Sequence, residues 1–377
     1  MFDVLQKAES DHRSFYSAAE KHLEALYRIR NSFSGVPGEG FINGYIDAFS
    51  KTAAPWVVNL DLNCSGHAQE GIESMMKESR TIVEHMKNTV RATAKHVSGY
   101  KMNEQSMLTF LLAQEPNLVH DAKQIYSEET GVEPVIWTDE KLRDIPSTTY
   151  QTARIIYGLG YDAIHCMPQI GQDVAGALQK AAGEMGDRGT VHVINLTHPG
   201  YEDVKRDYHK DPVGTIDLMR QRALGSAVDV EIGKERFPVN VRSTGTIEPA
   251  NRPDEIYQGL RDLYGDDIMI ISIGIGPQGA LPGCALYAGA SIEGIGRFIF
   301  QDGKEFSAPE NTERKSRACK RSGLLALGAR YSDEPQPYPL DSIMGELSDF
   351  DPLIRDVTRE GLARVYNMRA EEHESKP

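Results

Sequence analysis

The sequence predicts a (β/α)8 TIM barrel carrying helical extensions at its N- and C-terminal ends. Three observations predict it. Short apolar runs alternate with longer stretches of helical periodicity, the pattern of a parallel sheet covered by helices. Eight such runs fall between Pro55 and Phe300, the strand count and the span of one closed barrel. The chain has 377 residues, so it exceeds that span on both sides. A doubly wound open sheet is the alternative, because strands buried on both faces look alike in either architecture.

Residues 1–54 read as a helical N-terminal extension. Phe15, Ala19, Leu23, Leu26 and Ile29 recur at helical spacing among charges. The glycine- and proline-rich stretch Ser34–Gly40 interrupts that pattern as a loop. Residues 55–300 read as the barrel. Its predicted strands are Trp56–Leu62, Ser98–Asn103, Pro134–Asp139, Asp162–Met167, Val191–Thr197, Pro238–Ser243, Ile268–Gly274 and Ser291–Phe300. Between the first two, Ile72, Met75, Met76, Val83, Met86 and Val90 form a helical stripe. Residues 301–377 read as a helical C-terminal extension. A proline-rich linker, Asp333–Pro339, precedes Leu353, Val357, Leu362 and Val365, which are spaced as a terminal helix. A basic run before it, Arg314, Lys315, Arg317, Lys320 and Arg321, reads as a solvated helix face.

Composition excludes several classes of function. The net charge is −14, which disfavours nucleic acid as a partner. A small anionic substrate then needs a locally basic pocket. No run of 18 apolar residues is present, so no membrane span is expected. The opening MFDVLQKAES lacks the pattern of a secretory signal. Four cysteines stand far apart without a CxxC pair. That argues against a disulfide scaffold or a zinc site and for the reducing cytoplasm.

The most informative segment is Asp139-Glu140-Lys141-Leu142-Arg143-Asp144-Ile145-Pro146-Ser147-Thr148. It continues the third predicted strand. Positions i and i+2 of a strand share a face, so Asp139 and Lys141 are expected to point into the barrel together. Asp144 falls just past the strand end, where barrel enzymes keep reactive groups. Asp61 ends the first strand and Lys101 lies near the end of the second. Two opposite charges about 4 Å apart attract by roughly 4 kcal/mol at an effective dielectric near 20. The residues alone leave two readings open: a catalytic cluster, or a structural ion-pair network at the strand ends.

Asp139-x-Lys141-x-x-Asp144-Ile145-Pro146-x-Thr148 resembles the signature of the orotidine 5′-phosphate decarboxylase family. At about 5% usage per residue type, its five fixed positions would coincide in roughly one chain in 10⁴ of this length. Other matches follow in the family's order: Leu60-Asp61-Leu62, Tyr100-Lys101, Asp162-Ala163-Ile164 with Gly171 and Asp173, and Thr197-His198-Pro199-Gly200. The last is Gly274-Ile275-Gly276-Pro277-Gln278-Gly279 with Gly296-Arg297. The resemblance covers Pro55–Phe300. It departs from the usual pattern at Met167, at Thr197 for serine, at Ile273 for proline, and at Pro277 and Ala280 in the glycine-rich loop.

The resemblance implies a homodimeric (β/α)8 barrel with active sites shared across the interface and a nucleotide substrate. It implies decarboxylation of orotidine 5′-monophosphate to UMP without metal or organic cofactor. Asp139 would crowd the substrate carboxylate and Lys141 would protonate C6. Lys101 would position Asp139 and reach the ribose, and Asp61 would bind a ribose hydroxyl. Asp144, Ile145 and Thr148 would come from the neighbouring subunit. Thr197 would face the pyrimidine edge, and Gln278 and Arg297 would hold the phosphate.

The residue types suit that chemistry. Loss of CO₂ leaves negative charge at a carbon that delocalises it poorly. Acceleration needs groups that stabilise the transition state more than the substrate. An ammonium at that carbon does so and then supplies the proton. Two other functions stay open. One is a Mg²⁺-dependent sugar-phosphate lyase or decarboxylase on the same barrel, for which Glu104 is the spare carboxylate. The other is a catalytically silent nucleotide-binding barrel. Gly274-x-Gly276-x-x-Gly279 also matches a dinucleotide motif, but it follows the seventh strand and encloses Pro277, so it reads as a tight turn or phosphate loop. His165 and His192 lie on strands and read as packed core histidines.

Overall fold

The computed structural model describes residues 12–62, 71–167, 171–193, 224–250, 261, 265, 267–276, 279–302, 305–334 and 336–350. Helices α1 (His12–Ser32) and α2 (Glu39–Thr52) precede the barrel. The predicted stripe of α1 is buried from Phe15 to Ile29. It packs with Phe33, Phe41 and Tyr45 onto inward-facing barrel residues, among them Val57, Val135, Trp137, Met269 and Ile292. Phe41 meets the Trp137 ring edge-on at 5.6 Å between centroids. The backbone amides of Gly38 and Gly40 donate to the two carboxylate oxygens of Asp187, at 2.9 and 2.8 Å. Asp187 lies just before a strand start, so α2 is tied to the N-terminal end of the barrel. The C-terminal end is left for chemistry.

The barrel begins with β1 (Trp56–Asn59), α3 (Ile72–Thr93), β2 (Gly99–Asn103), α4 (Glu104–Ala113) and α5 (Leu118–Thr130). It continues with β3 (Val135–Leu142), α6 (Pro146–Gly158), β4 (Ala163–Cys166), α7 (Gln172–Glu184) and β5 (Gly189–Val193). An antiparallel hairpin, β6 (Leu224–Ile232) and β7 (Glu235–Arg242), follows. Then come β8 (Gly245–Pro249), β9 (Met269–Ile275), α8 (Cys284–Ala288), β10 (Ile292–Ile295) and α9 (Arg297–Phe300). Strands β1, β2, β3, β4, β5, β8, β9 and β10 close in that order, all parallel. The fold is therefore the expected (β/α)8 barrel rather than an open sheet.

Two predicted strands are corrected: Ser291–Phe300 is strand only over Ile292–Ile295, and its Arg297–Phe300 end is helix α9. Pro238–Ser243 falls mostly in the hairpin, and the sixth barrel strand is β8. The hairpin strand β7 alternates exposed and part-buried residues, as a sheet with one face in water does. Its partner β6 lies against α7. The true sixth strand, Gly-Thr-Ile-Glu-Pro, is wholly buried but not apolar, so no hydrophobic run marks it. The α3 stripe is buried at Val83, Met86 and Val90, while Ile72 at its start is 59% exposed.

Helix α10 (Pro309–Arg330) packs between α3 and α8, closing the helical ring, and α11 (Leu340–Glu346) follows. Its basic run is not uniformly solvated. Lys315 is buried and donates to Asp302 Oδ1 at 2.6 Å, to the Gln301 carbonyl and to Ser307 Oγ. Lys320 is also buried, which lowers its pKa to about 8. Arg314, Arg317 and Arg321 face water. The predicted helix through Leu353–Val365 lies outside the described residues.

Candidate active site

Four charged side chains meet at the C-terminal ends of the first three strands. Lys101 Nζ donates to Asp61 Oδ1 and Oδ2 at 3.2 and 3.3 Å, and to Asp139 Oδ2 at 3.2 Å. Lys141 Nζ lies 2.5 Å from Asp139 Oδ1. The charges alternate in sign along Asp61, Lys101, Asp139 and Lys141, as the spacing requires. Lys101 is 3% exposed. Burial alone would lower its pKa, but the carboxylates of Asp61 and Asp139 raise it above the ordinary lysine value. Burial would likewise raise that of Asp139; Lys101, His165 and Lys141 hold it well below the usual carboxylate range. A buried charge stripped of one such partner costs about 3–5 kcal/mol, so the set is mutually dependent.

Lys141 reaches Asp139 by a route that strand alternation does not describe. Its φ is +50°, in the left-handed region. The register of β3 against β4 shifts between Thr138 and Leu142. Bulges of this kind re-aim a side chain at functional sites, and a non-glycine residue held at positive φ stores strain there. The bulge leaves Lys141 side chain about one-third exposed, 34%, beside an almost buried Asp139.

The residue between them also matters. Glu140 is half-buried, and its Oε2 has no hydrogen-bond partner among the described residues. Burial, and then repulsion from Glu104, raises its pKa from 4.5 to about 7. The folded chain therefore binds this proton more tightly than the unfolded chain, and stability falls as pH rises from about 4.5 to about 7. Glu140→Gln removes the ionisation. Thermal melts should show a gain of about 2 °C at pH 8 and none at about pH 4, the small size reflecting solvent screening. Equal shifts at both pH values would show that the carboxyl is not strained by its charge.

Asp144, Ile145 and Thr148 do not join the cluster from their own chain. All three are exposed, Ile145 by 62%. Asp144 Oδ1 accepts from the Ile145 amide at 2.7 Å, and its carbonyl accepts from Thr149 Oγ1 at 2.9 Å. These contacts set the entry to α6, whose first residue is Pro146. Arg297 opens α9 directly after β10 and is exposed at the same end of the barrel. Gly276 and Gly279 have φ of +87° and +93° and close a tight turn, with Gly279 N donating to the Gly276 carbonyl at 2.8 Å. That is the tight-turn reading of the glycine motif. Thr197 and Gln278 lie outside the described residues. No cluster of three or more His, Cys, Asp or Glu able to hold a metal occurs among the described residues.

Two contributors escape a reading of the sequence. Asn59, inward on β1, pairs with Lys101 in register and has a buried Oδ1 without a partner among the described residues. Gly294 opposite it has no room for a side chain: a Cβ there would lie 2.7 Å from that oxygen. His165, read as a packed core residue, is fully buried but places Nδ1 2.7 Å from Asp139 Oδ1. His192, one strand on, is fully buried, and burial lowers its pKa to about 4.

No family model matches the chain. Its sequence is 32% identical over 173 residues to orotidine 5′-phosphate decarboxylase of Pyrococcus horikoshii, covering 46% of this chain and 68% of that protein. The chain belongs to the orotidine 5′-phosphate decarboxylase family. The Pyrococcus furiosus member is 29% identical over 194 residues, covering 52% of this chain and 72% of its own length. A crystal structure of the Methanocaldococcus jannaschii decarboxylase complexed with the inhibitor BMP covers 63% of this chain and 92% of its own, at 18% identity and a TM-score of 0.48. Decarboxylases of this family are carboxy-lyases.

Proposed function

We propose that this chain converts orotidine 5′-monophosphate and a proton to UMP and CO₂ without metal or organic cofactor. The observation that carries the reading is Asp139, clamped between Lys101 and Lys141 at the mouth of the barrel. The substrate carboxylate would sit against Asp139, where two like charges raise the energy of the bound substrate. The C6–carboxylate bond breaks, CO₂ departs, and the electron pair stays on C6. The Lys141 ammonium stabilises that charge as it forms and then transfers a proton to C6. Neutral Lys141 regains its proton from solvent.

Asp61 and Lys101 would hold the ribose, Thr197 the pyrimidine edge, and Gln278 and Arg297 the phosphate. Binding energy gathered at the phosphate serves to close and align the reacting end. Arginine suits it because its planar fork matches phosphate oxygens.

The site is completed by a second copy. Ile72, Leu108, Leu111, Ile145 and Ile155 are exposed large apolar residues on α3, α4 and the α6 segment, which flank the strands bearing the charged set. A homodimer across this flank would cover them and deliver Asp144, Ile145 and Thr148 to the neighbouring site. The reading places the reaction in the cytoplasm, in keeping with the buried thiols of Cys166, Cys284 and Cys319, which form no disulfide among the described residues. No helix among the described residues is long and apolar enough to cross a membrane.

Loss of orotidylate absorbance, followed with and without EDTA, tests the reading. Turnover indifferent to EDTA is expected. Turnover lost with EDTA would favour the Mg²⁺-dependent lyase, for which Glu104, close enough to Glu140 to raise its pKa, is the spare carboxylate. UMP binding without turnover would mark a silent nucleotide-binding barrel.

A further inference from the structure

We infer that His165 is a positioning residue that holds Asp139 Oδ1 while the Lys141 ammonium turns from that oxygen to the substrate carbon. The inference rests on the decarboxylase reading and extends it.

Asp139 receives three donors on two oxygens. Lys101 takes Oδ2. Lys141 and His165 share Oδ1, at 2.5 and 2.7 Å. Lys141 must leave Oδ1 to deliver a proton. Without a second donor there, a buried carboxylate oxygen would lose its only partner during the chemical step, a costly state. His165 supplies that donor from a fixed position. It lies on β4, alternating with the outward Ile164 and Cys166, which belong to the outer core.

The partners assign the tautomer. Nδ1 faces a carboxylate, so it carries the hydrogen and donates. Nε2 is buried without a partner among the described residues. A hydrogen there would have no acceptor among those residues, which favours the neutral ring. Burial first, opposed by Asp139 and aided by Lys101 and Lys141, lowers its pKa from the ordinary value. Those three groups are the charges that face it; His192 on neighbouring β5 pairs with Cys166 rather than with His165. A neutral donor fixes Asp139 without cancelling the charge that faces the substrate carboxylate.

The test compares His165→Leu, which removes the donor, with His165→Asn, which keeps an N–H. Leu should lower kcat about 10- to 100-fold, the range for a lost hydrogen bond to a charged group. UMP, which has no carboxylate to meet Asp139, should bind within about threefold of wild type. Asn should recover kcat to within about fivefold of wild type. An unaltered kcat in Leu, or equal damage in Leu and Asn, overturns the proposal. If the Leu variant fails to fold, nitrogen-15 NMR of histidine in the wild-type protein decides: a hydrogen on Nδ1 of neutral His165 supports it, and one on Nε2 refutes it. Wild type with no orotidylate turnover removes the functional reading itself, whereas wild-type turnover with an unaffected Leu variant removes only this proposal.

Discussion

Lys141→Ala should lose about four orders of magnitude in kcat while still binding UMP. Two effects act on one group. Proton donation by a placed side chain contributes roughly 10²–10⁴-fold. Stabilising charge where it develops contributes a further, overlapping share. The loss should fall on kcat because Lys141 meets the substrate most strongly at the carbon that becomes an anion. The variant should fold. Lys141 is one-third exposed, and Asp139 keeps Lys101 and His165 as partners. Lys101 is a poorer choice for the same test. It is almost fully buried between two carboxylates, so its removal threatens the fold as well as the reaction. Stopped-flow or steady-state absorbance at high orotidylate, beside calorimetric UMP titration, separates the two quantities. Turnover within a hundredfold of wild type would sink the assignment of Lys141 as proton donor.

Mixing inactive Lys141→Ala subunits with inactive Asp144→Ala subunits should restore activity to about a quarter of wild type. In a C2 dimer whose sites draw on both subunits, random pairing makes about half the dimers hybrid. Each hybrid holds one site with both substitutions and one with neither. The structural basis is the direction of the loop. Asp144 makes no ion pair among the described residues and is exposed with Ile145 and Thr148, whereas Lys141, three residues earlier, turns inward. No recovery, with hybrid dimers demonstrated by native mass spectrometry, would place each site within one subunit. An Asp144→Ala protein of full activity would remove Asp144 from the site altogether.

Much of the site is legible along the chain. Asp61, Lys101, Asp139 and Lys141 sit at the ends of recognisable strands, and their alternation in sign follows from the need to offset buried charge. The stripe from Phe15 to Ile29 is equally plain and is buried as expected. What was hidden was hidden for identifiable reasons. The sixth strand contains Thr246 and Glu248 where a core strand is expected to be apolar, whereas the hairpin strand before it carries the more regular apolar positions Phe237, Val239 and Val241. His165 carries no charge pattern of its own. Its role appears only when β4 is laid beside β3.

Local chemistry thus settled which side chains had to cluster and at which end of the strands. The sequence by itself determined the alternation of parallel strands and helices, the charged quartet and the helical stripe, because periodicity acts over a few neighbouring residues; closure of the sheet into a barrel came only with the strand order. Only the tertiary structure decided that a left-handed Lys141 in a bulge, rather than simple alternation, brings the ammonium to Asp139. It also decided that Asn59 and His165 line the same interior and that Asp144 faces away. Those outcomes depend on register between strands about 24–42 residues apart in the chain, and register is set by the packing of the closed barrel as a whole.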